Sequence, residues 1–322
     1  MKCLVTGAAG FIGSRLSESL VEKGHQVLGV DCFTDYYPRP IKEANLLNLK
    51  GISSFSLAEE DLAKCDLDPL LKGIDWVFHL AAQAGVRASW GAQFEIYVDC
   101  NIRVTQRLLE ASKTRSIGKF INASSSSVYG DTQNVPMSAD KPLNPRSPYG
   151  VTKLAAENLC SLYHANFGLP TVSLRYFTVF GPRQRPDMAI HRFLRSCLDG
   201  SEVPLFGDGS QTRDFTYVDD IVSGTILAAE KGAPGRIFNL GGGNRISVNE
   251  LLALIADIAG RAPNIVRKET QVGDVRHTWA DTSLARAELG WAPSFSVREG
   301  LKCELDWIRR ALDAGLLPPI KS

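Results

Sequence analysis

Short, almost continuous apolar runs alternate along this chain with stretches in which apolar positions recur at helical spacing. Residues 2–5 predict a first strand, and after a loop of small residues Leu16, Leu20 and Val21 mark a helix that Gly24 stops. Residues 26–30 predict a second strand closing on Asp31; residues 34–50 are polar and aromatic before turning helical, and 53–56 suit a further strand. The runs 76–80, 119–123 and 171–176 read as buried strands, with helices over 95–113 and over 149–166, the latter opened by Pro148. Alternating strands and helices of this kind build an α/β fold around a parallel sheet covered on both faces. Beyond 176 the rhythm breaks, and the prolines and arginines of 177–186 mark departure into a second lobe. Residues 203–213 read as loop, while a helix over 219–231 and a strand over 236–241 return to the sheet. The rest is a helix over 248–259, a strand over 264–268, a loop, further helices and a mobile tail, with no internal repeat. Residues 1–176 with 214–242 therefore form one domain, and 177–213 with 243–322 the other.

The loop between the first strand and first helix runs Thr6-Gly7-Ala8-Ala9-Gly10-Phe11-Ile12-Gly13. A helix N-terminus offers unpaired N–H groups to a pyrophosphate, and glycines let the backbone approach it. Asp31 follows at about the 20-residue distance found in dinucleotide-binding units. There it can bond an adenosine ribose and would repel a 2′-phosphate, which favours NAD over NADP. Asp61 and Leu62 fall at the adenine edge of such a site, and Leu80, Ala81 and Ala82 lead small residues off a strand end. That smallness leaves room for a cofactor, although tight strand–helix packing would look the same. Ser124 to Ser127 set four hydroxyls at another strand end, a shelf facing a substrate or a solvated turn.

Tyr149 and Lys153 stand four apart on one helical face. An ammonium beside a phenol favours the phenolate and lowers its pKa, so such a tyrosine can take a proton from an alcohol near neutral pH. The pair also arises often by chance and decides nothing alone. Phe206 offers a ring for base stacking and Arg213 a charge for phosphate.

The totals change the picture only by exclusion. Of 322 residues, 44% are apolar and 22% charged, with a net charge of +1, so nothing marks a nucleic-acid or membrane partner. The seven cysteines are scattered without C-x-x-C spacing, which suggests incidental thiols in a reducing compartment, and no metal site is expected. Residues 1–13 suit a first strand better than a signal peptide, and no run is long enough to span a bilayer. A cytoplasmic protein is the expectation.

Taken in order, the glycine loop, Asp31, Asp61-Leu62, the run 80–82, Asn101, the serine shelf through Gly130, Tyr149/Lys153, and the stretches 175–182 and 206–215 resemble the extended short-chain dehydrogenase/reductase family, of the NAD-dependent nucleotide-sugar epimerase/dehydratase type. Within it, the stretches 31–37, 84–90 and 177–189 look most like UDP-glucuronate 4-epimerases. The resemblance implies a Rossmann-type doubly wound parallel sheet with a smaller α/β substrate-binding domain, bound NAD, a UDP-sugar substrate and a homodimer built on helices 95–113 and 149–166. It implies catalysis by Ser125, Tyr149 and Lys153, with Tyr149 held as phenolate by Lys153 and the nicotinamide charge. It places the cofactor against Gly7, Ala9, Gly10, Phe11, Ile12, Gly13, Asp31, Asp61, Leu62, Leu80, Ala81, Ala82, Asn101, Tyr149, Lys153, Tyr176 and Val179. The substrate falls to Arg87, Ser125, Ser126, Ser127, Thr178, Arg185, Phe206, Arg213 and Arg276, with Arg213 the first choice to anchor the pyrophosphate. Related dehydratases carry acids where this chain has Ser126 and Ser127, and without a general acid dehydration loses a factor of about 10²–10⁴. The rival readings are a UDP-glucose 4-epimerase or a broad enzyme taking both acid and neutral sugars, a UDP-glucuronate decarboxylase and a non-catalytic dinucleotide sensor.

Overall fold

Strands buried on both faces occupy the centre of the molecule, a computed structural model that describes residues 1–132 and 135–317. Six of them come first along the chain: β1 (Lys2–Thr6), β2 (Gln26–Asp31), β3 (Phe55–Glu59), β4 (Trp76–His79), β5 (Lys119–Ser125) and β6 (Thr171–Tyr176). The short strands β7 (Val179–Phe180), β8 (Glu202–Phe206), β9 (Thr212–Asp214) and β10 (Thr216–Tyr217) follow, before β11 (Ile237–Leu240), β12 (Arg245–Ser247) and β13 (Asn264–Lys268). The large sheet is parallel and seven-stranded, in the order β11-β6-β5-β4-β1-β2-β3. Strand order reverses between β1 and β4, so a crevice opens at their carboxyl ends, where ligands of such sheets bind.

The helices are α1 (Phe11–Glu22), α2 (Arg39–Asn45), α3 (Asp68–Leu71), α4 (Phe94–Tyr97), α5 (Val104–Ser112), α6 (Pro148–Phe167), α7 (Ala189–Asp199), α8 (Val218–Lys231), α9 (Val248–Ala259), α10 (Ser283–Leu289) and α11 (Val297–Asp313). Two apolar layers sandwich the sheet, and β1 divides its side chains between them: Cys3 and Val5 enter one, Leu4 the other. Strand side chains alternate in direction, and this is why such strands read as unbroken apolar runs. Leu16, Leu20, Ile221 and Ile226 of α1 and α8 fill the first layer; Leu108, Leu109, Cys160 and Tyr163 of α5 and α6 fill the second.

Helix α6 owes its start to local chemistry. Ser147 is its N-cap, accepting from Gly150 N at 3.1 Å, Pro148 opens the first turn, and Gly168 closes the helix in a left-handed conformation. Three expectations need correction. The stretch 203–213 is not simply loop: β8 pairs with β13 and β9 with β12, partners too distant in sequence to be anticipated. The strand expected over 53–56 lies at Phe55–Glu59. The helix over 95–113 is interrupted by a π-helical segment, Val98–Arg103, that contains Asn101. The tail expected at the C-terminus, residues 318–322, lies outside the described residues. Among the described residues no helix is long and apolar enough to cross a membrane.

Candidate active site

At the crevice between β1 and β4 lies a cleft of about 440 Å³. Its floor is the glycine loop. Gly7 has a φ of +71°, its N–H donates to Val30 O at 2.8 Å, and a Cβ there would come within 2.9 Å of Ala81 N. A Cβ on Gly13 would sit 2.1 Å from Gly7 O, so the start of α1 can pack this tightly only with glycine. Behind the loop, buried His79 lies 2.8 Å from Thr6 Oγ1 and 3.0 Å from Thr105 Oγ1, while Thr6 Oγ1 accepts from Leu80 N and Ala81 N at 3.2 and 3.1 Å. Burial keeps this imidazole neutral, pulling its pKa down to about 3. At the end of β2, Asp31 accepts from Ala9 N at 3.0 Å and from Phe33 N at 2.9 Å. A carboxylate has about four lone-pair sites, so both oxygens keep capacity toward the cleft.

Gly7, Gly10, Phe11, Ile12, Gly13, Asp31, Asp61, Leu62, Leu80, Ala81 and Ala82 line this cleft together with Tyr176 and Val179. So do Ser125, Ser126, Ser127, Tyr149, Lys153, Thr178 and Arg185. Ala9 and Asn101 stand behind the wall. Ala9 is fully buried, and Asn101 Nδ2 donates to Gln83 O at 3.0 Å and to Thr152 Oγ1 at 2.9 Å while its Oδ1 accepts from Gln83 N at 2.8 Å. Asn101 thus pins the segment after Ala82 to α6.

Ser125 Oγ accepts from Ser127 N and donates to Ser127 Oγ, both at 3.1 Å, on the cleft wall it shares with Tyr149. Desolvation raises the Tyr149 phenol above its ordinary value, and the groups opposing that rise are the nearby Ser125 hydroxyl and the charge of Arg185. This corrects the expectation that Lys153 lowers it. Lys153, 7% exposed, turns its Nζ to Ala123 O at 2.8 Å, and burial pulls its own pKa down to about 8. Sharing one helical face did not bring the two side chains into a direct bond. Arg185 is held by Asp187, its Nε and Nη2 donating to the two carboxylate oxygens at 3.0 and 3.1 Å, and lies over the Tyr36 ring at 5.3 Å.

Arg87, Phe206, Arg213 and Arg276 lie outside the cleft wall and gather among themselves. The Arg87 guanidinium covers Phe206 at 4.1 Å and pairs with Asp274 at 2.8 Å, so one face of the ring expected to stack on a base carries an arginine. Arg213 Nη1 donates to Thr212 O at 2.9 Å and Arg276 O at 3.3 Å, and burial lowers its pKa. Arg276 is exposed.

Sequence reasoning passed over Tyr36, Asp187 and Glu157. Tyr36 and Asp187 lay within stretches already singled out, but only folding brings residues so distant together. Glu157 could have been found, since it stands four after Lys153 on the same helical face.

A family model described as the NAD dependent epimerase/dehydratase family matches residues 3–241. An uncharacterized UDP-glucose epimerase of Bacillus subtilis is 47% identical over 312 residues, covering 96% of this chain and 98% of that protein. The UDP-glucuronate 4-epimerase of Thermodesulfobacterium geofontis is 42% identical, covering 96% and 97%. Among solved structures, the UDP-glucuronic acid 4-epimerase from Bacillus cereus, in complex with UDP-glucuronic acid and NAD, aligns with a TM-score of 0.94 at 46% identity, over 96% of this chain and 99% of that one.

Proposed function

Because the chain belongs to the NAD-dependent epimerase/dehydratase family, we propose that it is a UDP-glucuronate 4-epimerase, interconverting UDP-glucuronate and UDP-galacturonate with tightly held NAD. The observation carrying this reading is the convergence of Ser125, Tyr149, Lys153, Thr178 and Arg185 on the cleft floored by the glycine loop. The glycines suit the cofactor, since Cβ atoms at Gly7 and Gly13 would fill the space that brings backbone N–H groups to a pyrophosphate. When bound, NAD would supply the redox chemistry, taking hydride from C4 of the sugar and returning it to the opposite face.

On this reading Tyr149 takes the proton of the 4-hydroxyl and later gives it back. Ser125, on the same cleft wall, shares that proton's hydrogen bonds, and Arg185 places positive charge toward the oxyanion, with Lys153 lining the same cleft. Once oxidised, the sugar is a β-keto acid prone to losing CO₂. Arg185 and Thr178, with hydroxyls from Ser126 and Ser127, hold its carboxylate out of alignment with the ketone. Charge-assisted bonds of this kind contribute roughly 1.5–3 kcal/mol each. The inverting sugar must turn while its pyrophosphate stays fixed, and Arg213 is the anchor we assign, with Arg87 and Arg276 beside it. Residues 1–176 with 214–242 hold the cofactor in this scheme, and 177–213 with 243–322 the nucleotide sugar.

The test is NMR of the product formed from UDP-glucuronate: UDP-galacturonate is expected, and an unchanged substrate overturns the reading. A second reading, UDP-glucose 4-epimerase, takes support from the Bacillus subtilis relative and predicts faster turnover of UDP-glucose in a side-by-side assay. We further propose a cytoplasmic homodimer. Val151 and Leu162, on one side of α6, are 48% and 53% exposed and Ile96 of α4 is 45% exposed, apolar side chains that a second copy would cover. Light scattering at monomer mass would refute it.

A further inference from the structure

Between β7 and Arg185 the chain reverses through Gly181-Pro182-Arg183-Gln184, closed by Gln184 N donating to Gly181 O at 3.0 Å. Pro182 takes the second place of this turn and Arg183 the third, with a φ of +70°. A left-handed third residue after proline is where glycine normally sits, and an arginine there is strained by its Cβ. Strain of this kind persists only where surrounding contacts over-determine it.

Those contacts lie across the molecule. Arg183 Nη2 donates to Glu18 Oε1 at 2.7 Å and Nη1 to Ser14 Oγ at 3.3 Å, and the ion pair is largely buried, at 13% and 8% side-chain exposure. Ser14 and Glu18 stand four apart on one face of α1, the helix that rises from the glycine loop. Downstream the turn is rigid, because buried Gln184 donates to Val179 O at 3.0 Å and accepts from His191 N at 3.0 Å. Two residues past Arg183, Arg185 then enters the cleft wall.

We propose that Arg183 is a positioning residue: its bond to Glu18 registers the turn carrying Arg185 against the cofactor-side helix, and so aims Arg185 at the substrate carboxylate. The inference rests on the functional reading above. It explains an arginine at a position whose backbone asks for glycine, since a glycine would relieve the turn and release the loop from α1.

Arg183→Gly separates these effects, because it suits the turn and deletes only the guanidinium and its stem. The expected result is a KM for UDP-glucuronate raised about 10-fold, with kcat, bound NAD and the inhibition constant of UDP-glucose as a competitor unchanged. Glu18→Gln, which also loosens the Arg15–Glu18 pair at 3.4 Å, should reproduce that split. The double variant should be no worse than Glu18→Gln alone, because Arg183 then has no carboxylate left to lose. Arg183→Gly with unaltered KM overturns the inference, as does a parallel weakening of UDP-glucuronate, UDP-glucose and NAD, which would assign Arg183 to general architecture. Wild-type protein that leaves UDP-glucuronate unchanged overturns the functional reading itself, whereas active wild type beside an indifferent variant overturns the inference alone.

Discussion

Glu157 and Arg175 meet as a two-pronged ion pair, Oε2 accepting from Nε at 3.0 Å and Oε1 from Nη2 at 2.5 Å, with each side chain 2% exposed. Ser124 Oγ donates to the same carboxylate at 2.8 Å, and Arg175 Nη1 donates to Tyr129 Oη and Ala139 O at 2.8 Å. The pair thus ties α6, one turn beyond Lys153, to the ends of β5 and β6. Removing one member leaves the other charged and buried without compensation, at a cost of about 3–5 kcal/mol. Glu157→Ala should lose stability of that size in urea denaturation, and a loss below about 1 kcal/mol would mean that water replaces the carboxylate.

Much of this arrangement could be read from the chain, and the exceptions have physical causes. The inner strands of the large sheet were legible because burial on both faces makes each an apolar run. The half-exposed edge strand β3 was misplaced by two residues, whereas β13 fell at its observed residues. By contrast, β8 and β9 are held by partners far along the chain, so their own residues carried no signal of pairing. The glycine loop was legible because its close approaches demand missing side chains. The Tyr149–Lys153 spacing was legible too, yet spacing fixes only a shared face. The Ala123 carbonyl at the end of β5 draws Lys153 away, and no local pattern encodes a carbonyl from another strand. For the same reason the arginines were recognisable as types, while the pairing of Arg87 with Asp274 and Phe206 was not.

Tyr149→Phe removes the proposed base and should lower epimerisation by about 10²–10⁴ while leaving NAD bound. Ser125→Ala addresses pH more directly. The Ser125 hydroxyl opposes the rise in the Tyr149 pKa, so its loss raises that pKa further. A base acts when deprotonated, hence the rising limb of the pH–rate profile should move to higher pH. A limb that stays in place would remove Ser125 from the proton's path.

Arg185→Ala should discriminate between sugars. If the guanidinium meets the uronate carboxylate, losing a charge-assisted bond of roughly 1.5–3 kcal/mol raises the KM for UDP-glucuronate by about 10- to 150-fold. The KM for UDP-glucose, which lacks the carboxylate, should hold, any fall in its kcat reporting the Arg185 charge lost from beside Tyr149, and CO₂ release per turnover should rise. Equal loss toward both sugars would place Arg185 elsewhere in the chemistry.

Gly7→Ala tests the cradle under the cofactor. The substitution forces a side chain into a left-handed residue, at a cost of about 1–2 kcal/mol, and brings Cβ to 2.9 Å from Ala81 N. The loop must shift, and with it the N–H groups at the start of α1. NAD released from purified, acid-quenched protein should fall well below the wild-type stoichiometry, and undiminished NAD would show that the loop tolerates the change.

His79 makes a prediction about acid. Its folded pKa, about 3, lies below the ordinary imidazole value of 6.5 because burial between Thr6 and Thr105 opposes the charged form. Below pH 6.5 the unfolded chain therefore binds a proton that the folded chain does not, and stability falls as pH falls toward 3. Each such group contributes a slope of up to about 1.4 kcal/mol per pH unit in that window. His191, pulled down to about 4 mainly by burial, acts in the same direction. Replacing His79 with glutamine leaves an uncharged amide that can still bond both threonines, so the stability–pH curve between 6.5 and 4 should lose about one proton's worth of slope while the plateau above pH 7 changes less. Denaturant midpoints measured across that range check it, and an unchanged acid slope in His79→Gln would mean that this imidazole is already charged in the native protein.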